Sequence, residues 1–175
     1  MGKKSAKENK NIYFQSRENA GLTRARASEL IGCISESKIE KIENGTTLPQ
    51  PEDVVLMAEA YQNPRLCNYY CANECRIGQE HVPEVQISGL PEITLGILSS
   101  LNTLDKYKER LIEITEDGKI TDDELPDFAK IEDRLEKISV TVEALKLWIK
   151  DAVIAGGLDE KKLAALKEAL NSHVK

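Results

Sequence analysis

Aromatic side chains are scarce in this chain of 175 residues, at 5%, with one Trp and two Phe. Leu, Ile, Glu, Lys and Ala abound instead, a balance that leans towards helices and away from sheets. Long hydrophobic runs are missing too. No stretch approaches the roughly 18 apolar residues that a membrane span requires. The opening MGKKSAKENKN is basic and polar with no apolar segment behind it, which predicts no secretory signal. Four cysteines without an export signal predict free thiols in a reducing cytoplasm and exclude a disulfide scaffold. With two histidines, no nucleophile elbow, no phosphate-cradling glycine loop and no paired carboxylates on separate elements, nothing suggests catalysis.

A surplus of positive charge is also lacking, since the formal net charge is −6. The deficit is uneven. Residues 1–64 hold nine Lys/Arg and nine Asp/Glu, and the rest hold 15 and 21. Any attraction to nucleic acid must therefore come from the N-terminal third, and from the pattern of its charges.

Three blocks follow from punctuation and periodicity. Residues 1–64 contain short helical segments broken at Gly21-Leu22-Thr23, Gly32 and Asn44-Gly45, and closed by Asn63-Pro64. Residues 65–90 form a cysteine-containing connector. Residues 91–175 carry long amphipathic patterns, predicting a helical hairpin that dimerises. There Ile93, Ile97, Ser100, Leu104, Tyr107, Leu111 and Ile114 recur at spacings of four and three. After a turn at Glu116-Asp117-Gly118-Lys119, a second series runs Phe128, Ile131, Leu135, Ile138, Val142, Leu145, Ile149 and Ala152. Its heptad spacing is that of a coiled-coil seam, and a helix of some 30 residues is about 45 Å long. A second copy is the expected partner for such a length, with a monomeric three-helix bundle as the alternative. Thr121-Asp122-Asp123-Glu124 reads as a capping box, Gly156-Gly157 as a stop, and residues 159–171 as a final short helix.

In the first block Thr23 and Ser35 read as N-caps, and Pro51 opens a further helix. The expected core is Ala20, Leu22, Ala27, Leu30, Ile31, Ile34, Ile39 and Ile42, covered by Val54, Val55, Met57, Ala58 and Tyr61. The residues Arg17, Ala20-Gly21-Leu22-Thr23, Leu30-Ile31-Gly32, Ser35, Ile39, Ile42-Glu43-Asn44-Gly45 and Pro49 resemble the phage-repressor, or xenobiotic-response-element (XRE), family of helix-turn-helix proteins. The resemblance covers about residues 11–62. It implies an all-α protein whose lambda-repressor-like domain precedes the helical hairpin. It further implies a dimeric, sequence-specific transcriptional regulator that binds double-stranded DNA. The helix from Ser35 to Glu43 matches the recognition helix, so Glu36, Ser37, Lys38, Glu40 and Lys41 would face base edges. Thr23 and Arg24 match phosphate contacts, with Arg17, Asn44, Thr46 and Thr47 as further ones. Two features depart from the family pattern. Cys33 and Ile34 both stand in a turn that usually holds one residue, and the recognition helix is acidic. Glu can accept from cytosine N4, and Lys3, Lys4, Lys7 and Lys10 can offset its repulsion from phosphate.

Alternatives stay open at this point. A helix-turn-helix scaffold can serve as a protein-interaction module of antirepressor or antitoxin type. Cys67, Cys71, Cys75 and His81 raise a zinc or thiol-sensing regulator, but Cys67 and Cys75 lie about 12 Å apart along a helix, too far to share one ion. Buried thiols among Leu66, Tyr69 and Tyr70 account for the same spacing, and no cofactor is expected. The run from Glu113 to Glu124 resembles a calcium loop, with Gly118, Ile120 and Glu124 in place. Glu113 and Thr115 replace its first compact ligands, and a helix corner explains the same residues.

Overall fold

The computed structural model describes residues 10–86 and 88–172. Ten helices and no strands are found among them. The chain divides into two compact units, residues 1–84 and 85–175.

The first unit is built from α1 (Ile12–Asn19), α2 (Arg24–Ile31), α3 (Glu36–Glu43), α4 (Pro51–Ala60), α5 (Arg65–Asn73) and α6 (Arg76–His81). Helices of eight residues are too short to hold by propensity alone, so caps and packing carry them. Asn11, Thr23 and Ser35 each accept a hydrogen bond from the first turn of α1, α2 and α3. Asp53 and Gln50 close a capping box on α4, with Pro51 in its first turn. The core gathers Tyr13, Ala27, Ile34, Ile39, Ile42, Val54, Met57, Ala58, Tyr61 and Leu66. Five expected members fall outside it. Leu22 and Ile31 pack against it partly buried. Ala20 at the end of α1 is exposed, and Leu30 and Val55 are about half exposed, because α2 and α4 are short enough to bury only one narrow face. Tyr13 and Leu66 take their place.

Much of the expected connector belongs to this unit. Pro64 N-caps α5, so Asn63-Pro64 starts a helix and does not close the domain. Leu66 is fully buried, and the Tyr69 ring meets Tyr13 edge-on at 6.3 Å. Tyr13 donates a 2.8 Å hydrogen bond to Glu74. Burial first, and that bond second, push its phenol well above the ordinary tyrosine value. At Gly78 an added Cβ would lie 2.1 Å from the Cys71 carbonyl, so α6 crosses α5 at a point only glycine fits.

The second unit consists of α7 (Leu90–Asp105), α8 (Lys108–Thr115), α9 (Leu125–Ile154) and α10 (Glu160–Ser172). The hairpin is present, with α7 and α8 packing on α9. Its first arm is broken at Lys106 and Tyr107, where the Tyr107 amide turns back to Leu104. Ser99, Ser100, Asn102 and Thr103, all weak helix formers, lead into that break. Arg110 of α8 ties to Asp127 of α9 at 3.1 Å, and Lys130 holds the same carboxylate. Those hydrogen bonds keep Asp127 below the usual carboxylate range, Lys130 contributing most. The capping-box residues lie one turn earlier than expected. Glu124 accepts from the amide and hydroxyl of Thr121, while Leu125 begins the helix and Pro126 sits in its first turn.

The heptad seam of α9 is divided. Ile131 is buried, and Ile138, Leu145 and Ala152 are partly buried. Leu135 and Val142 are exposed by 46% and 38%. An intramolecular hairpin uses only one side of the stripe, which is why the expected full seam is not closed within the chain.

Candidate nucleic-acid interface

Helix α3 is positioned from both ends. Gly32 ends α2 with φ +77°, a left-handed conformation that glycine adopts without penalty. In the longer turn that follows, Cys33 points out and Ile34 is buried. The Ser28 hydroxyl donates to the Ile34 carbonyl at 2.8 Å. The additional residue is thus absorbed by an outward cysteine, with a buried isoleucine anchoring the start of α3. At the far end Gly45 takes φ +70°, and the Thr46 amide closes back on the Lys41 carbonyl. The Asn11 side chain reaches across from the cap of α1 to the Ile42 carbonyl at 2.7 Å.

Ile39, Ile42 and Glu43 point inward from α3, and Glu36, Ser37, Glu40 and Lys41 point outward. Thr23, at the start of α2, is also exposed. The Glu43 carboxylate is fully buried and is held by Arg17 at 2.5 Å and Arg24 at 2.7 Å. Arg17 also donates to the Leu22 carbonyl and to Glu18. Burial disfavours its charge, but the bonds to Glu43 and Glu18 outweigh that and hold its pKa above the usual guanidinium value. The ring of Tyr61 closes the same corner. Burial, reinforced by the Glu43 charge, raises its pKa to about 12.

These placements sort the expected contacts. Glu36, Ser37 and Lys41 lie together on the exposed face of α3, with Asn44, Thr46 and Thr47 exposed just beyond its end. The Thr46 hydroxyl donates to the Lys41 carbonyl. Arg17 is a correction. It is 3% exposed, and its donors are committed to Glu43, Glu18 and Leu22, so it braces the domain and offers no phosphate contact. Arg24 is intermediate, with its Nε on Glu43 and an Nη 3.4 Å from Glu40. Lys38 is turned towards α4 and pairs with Asp53 at 2.7 Å. Lys3, Lys4 and Lys7 lie outside the described residues, and Lys10 is exposed with its ammonium 4.8 Å from the Phe14 ring.

The sequence did not reveal the ion-pair triad of Glu43, because Arg17 and Glu43 are 26 residues apart. The available signal is periodicity: Tyr13, Ser16 and Arg17 share one helical face, which places Arg17 inward. Elsewhere Cys33 is exposed and Cys67, Cys71 and Cys75 are partly buried. His81 is exposed at the end of α6. Among the described residues, no group of three or more His, Cys, Asp or Glu side chains converges as a metal site. The corner at Glu116-Asp117-Gly118 is closed by an Asp117 carboxylate accepting from the Lys119 amide.

Residues 15–66 match the family model described as a helix-turn-helix domain. The N-terminal unit is thus a helix-turn-helix domain, with α2 and α3 as its paired helices, in keeping with the repressor-type resemblance of the sequence. Neither the curated proteins nor the solved structures yielded a match to this chain. Among the described residues no helix is long and apolar enough to cross a membrane.

Proposed function

We propose that this protein is a sequence-specific, DNA-binding transcriptional regulator that works as a dimer. One observation carries the reading. The first turns of α3 present Glu36, Ser37, Glu40 and Lys41 outward, while Ile39, Ile42 and Glu43 fasten the opposite face. A helix held this way can enter the major groove with its N-terminal side chains against base edges. Ser37 and Lys41 are the best suited readers, and Glu36 or Glu40 can accept from cytosine N4. Thr23 and the amides opening α2 suit a phosphate. A dimer held by the second unit would present two α3 helices to half-sites about 34 Å, or a multiple, apart.

A second reading is favoured by charge. Glu36 and Glu40 flank the exposed face of α3, while Arg24 and Lys38 are engaged with acidic partners. In that reading the same face binds a protein. Retention of random duplex DNA over a salt series separates the two. A regulator retains duplex at low salt and loses it steeply as salt rises, because phosphate contacts release counterions. Lys41→Glu should weaken that retention at every salt concentration. Failure to retain any duplex at low salt would transfer the assignment to the protein-binding module.

A further inference from the structure

Helix α9 keeps two interleaved apolar series. Ile131, Ile138, Leu145 and Ala152 are turned into the hairpin, while Phe128, Leu135, Val142 and Ile149 recur every seven residues along its margin. Of this second series, Phe128 and Ile149 are partly buried, and Leu135 and Val142 are substantially exposed. A seven-residue apolar spacing sustained through a 30-residue helix is the spacing that lets another helix follow it. Beside the stripe, on its solvent side, stand Glu132, Ser139 and Lys146, again seven apart.

We propose that a second copy of this chain lays its own α9 antiparallel along this margin, about a two-fold axis between Ile138 and Ser139. The inference rests on the dimeric reading above and specifies its geometry. In this register Leu135 meets Val142 of the second copy, and Phe128 meets Ile149 of the second copy, each pair occurring twice by symmetry. The flanking charges favour the same arrangement. Glu132 comes within one residue of register with Lys146 of the second copy on both sides of the axis, with the uncharged Ser139 nearest its centre. A parallel, in-register pair would instead set Glu132 beside Asp127 of the second copy, two like charges. Lys146 now pairs with Glu143 one turn away on its own helix, Lys146 being exposed and Glu143 partly so. Exchanging that partner costs little, since such surface pairs contribute little.

Sedimentation equilibrium of the full chain tests the proposal with Glu132→Lys, Lys146→Glu and the double variant. Each single reversal creates two like-charge contacts per dimer and should weaken self-association about tenfold. The double variant restores opposite charges and should return to within about threefold of the parent. Helical circular dichroism at low temperature should stay unchanged in all three, because both side chains are exposed. A dimer that ignores the single reversals, or that the double reversal fails to rescue, overturns the antiparallel α9 contact. The dimeric reading would then survive on another surface, such as the outer leucines Leu95, Leu98 and Leu101 of α7. A parent chain that stays monomeric at the highest concentration reached overturns both, while DNA binding is decided separately by duplex retention.

Discussion

The two units differ in how completely they satisfy themselves. The first closes around ten buried apolar residues, caps its short helices with its own side chains, and neutralises its buried carboxylate internally. Among its described residues only Leu30, Leu48, Val55 and Ile77 are large apolar side chains left exposed. The second unit, of similar length, has a smaller buried cluster of Val85, Ile93, Ala144 and Leu147. Among its described residues it leaves twelve large apolar side chains exposed, from Leu90 to Leu170, and α10 contains no buried residue. An apolar stripe of this kind on helices that already pack on one another marks an interaction surface. The first unit closes its own core, while the second leaves the apolar surface on which the proposed dimer rests.

Removing Glu43 is the strongest way to break that contrast. Glu43→Ala leaves Arg17 charged and buried without its main partner, which should cost the first unit about 3–5 kcal/mol. Chemical denaturation followed by separate probes of the two units should show the loss in the first alone. An equal loss in both would mean that they unfold together. Leu66→Ala comes next, with about 2–4 kcal/mol expected from an emptied core site. The loss must again appear in the first unit if α5 belongs to it. A Leu66 variant that melts like the parent would return residues beyond Pro64 to the role of linker.

Alkaline pH sharpens the comparison without mutation. Tyr13 and Tyr61 are held neutral by burial, with folded pKa values above the ordinary tyrosine value of 10.0. A raised folded pKa means that the contribution is full below pH 10 and is lost as pH rises further. Each buried phenol should then cost about 1.4 kcal/mol per pH unit. Thermal melts from pH 8 to 11 should show the first unit falling, with Tyr13→Phe reducing the slope. The smallest expected effect belongs to Ser35→Ala, which removes the cap on α3 at a cost of about 1 kcal/mol. Amide exchange should then rise in the first turn of α3 while the rest of the unit stays protected.

The short helices of the first unit were legible because their signals are local. Thr23 and Ser35 cap, Gly32 and Gly45 end, and Pro51 opens, all within a few residues of the positions they control. What could not be read depended on distance along the chain. Arg17 looks like a surface cation until Glu43 is folded against it. Leu66 follows a proline that reads as a stop but sits at the head of a helix. Lys38 resembles a base reader until Asp53 of α4 arrives beside it. In the second unit, periodicity revealed the length and stop of α9 but not its rotation. A continuous heptad pattern does not say which of its two apolar series an adjacent helix will take, so the exposure of Leu135 and Val142 emerged only in three dimensions.

The Glu43 triad separates what holds the helix-turn-helix together from what it offers to a partner. The fastening groups of α3 all lie underneath, so Glu36, Ser37, Glu40 and Lys41 carry no share of the core. Exchanging those four side chains would give the same scaffold a new vocabulary, and related targets would lie a few surface substitutions away.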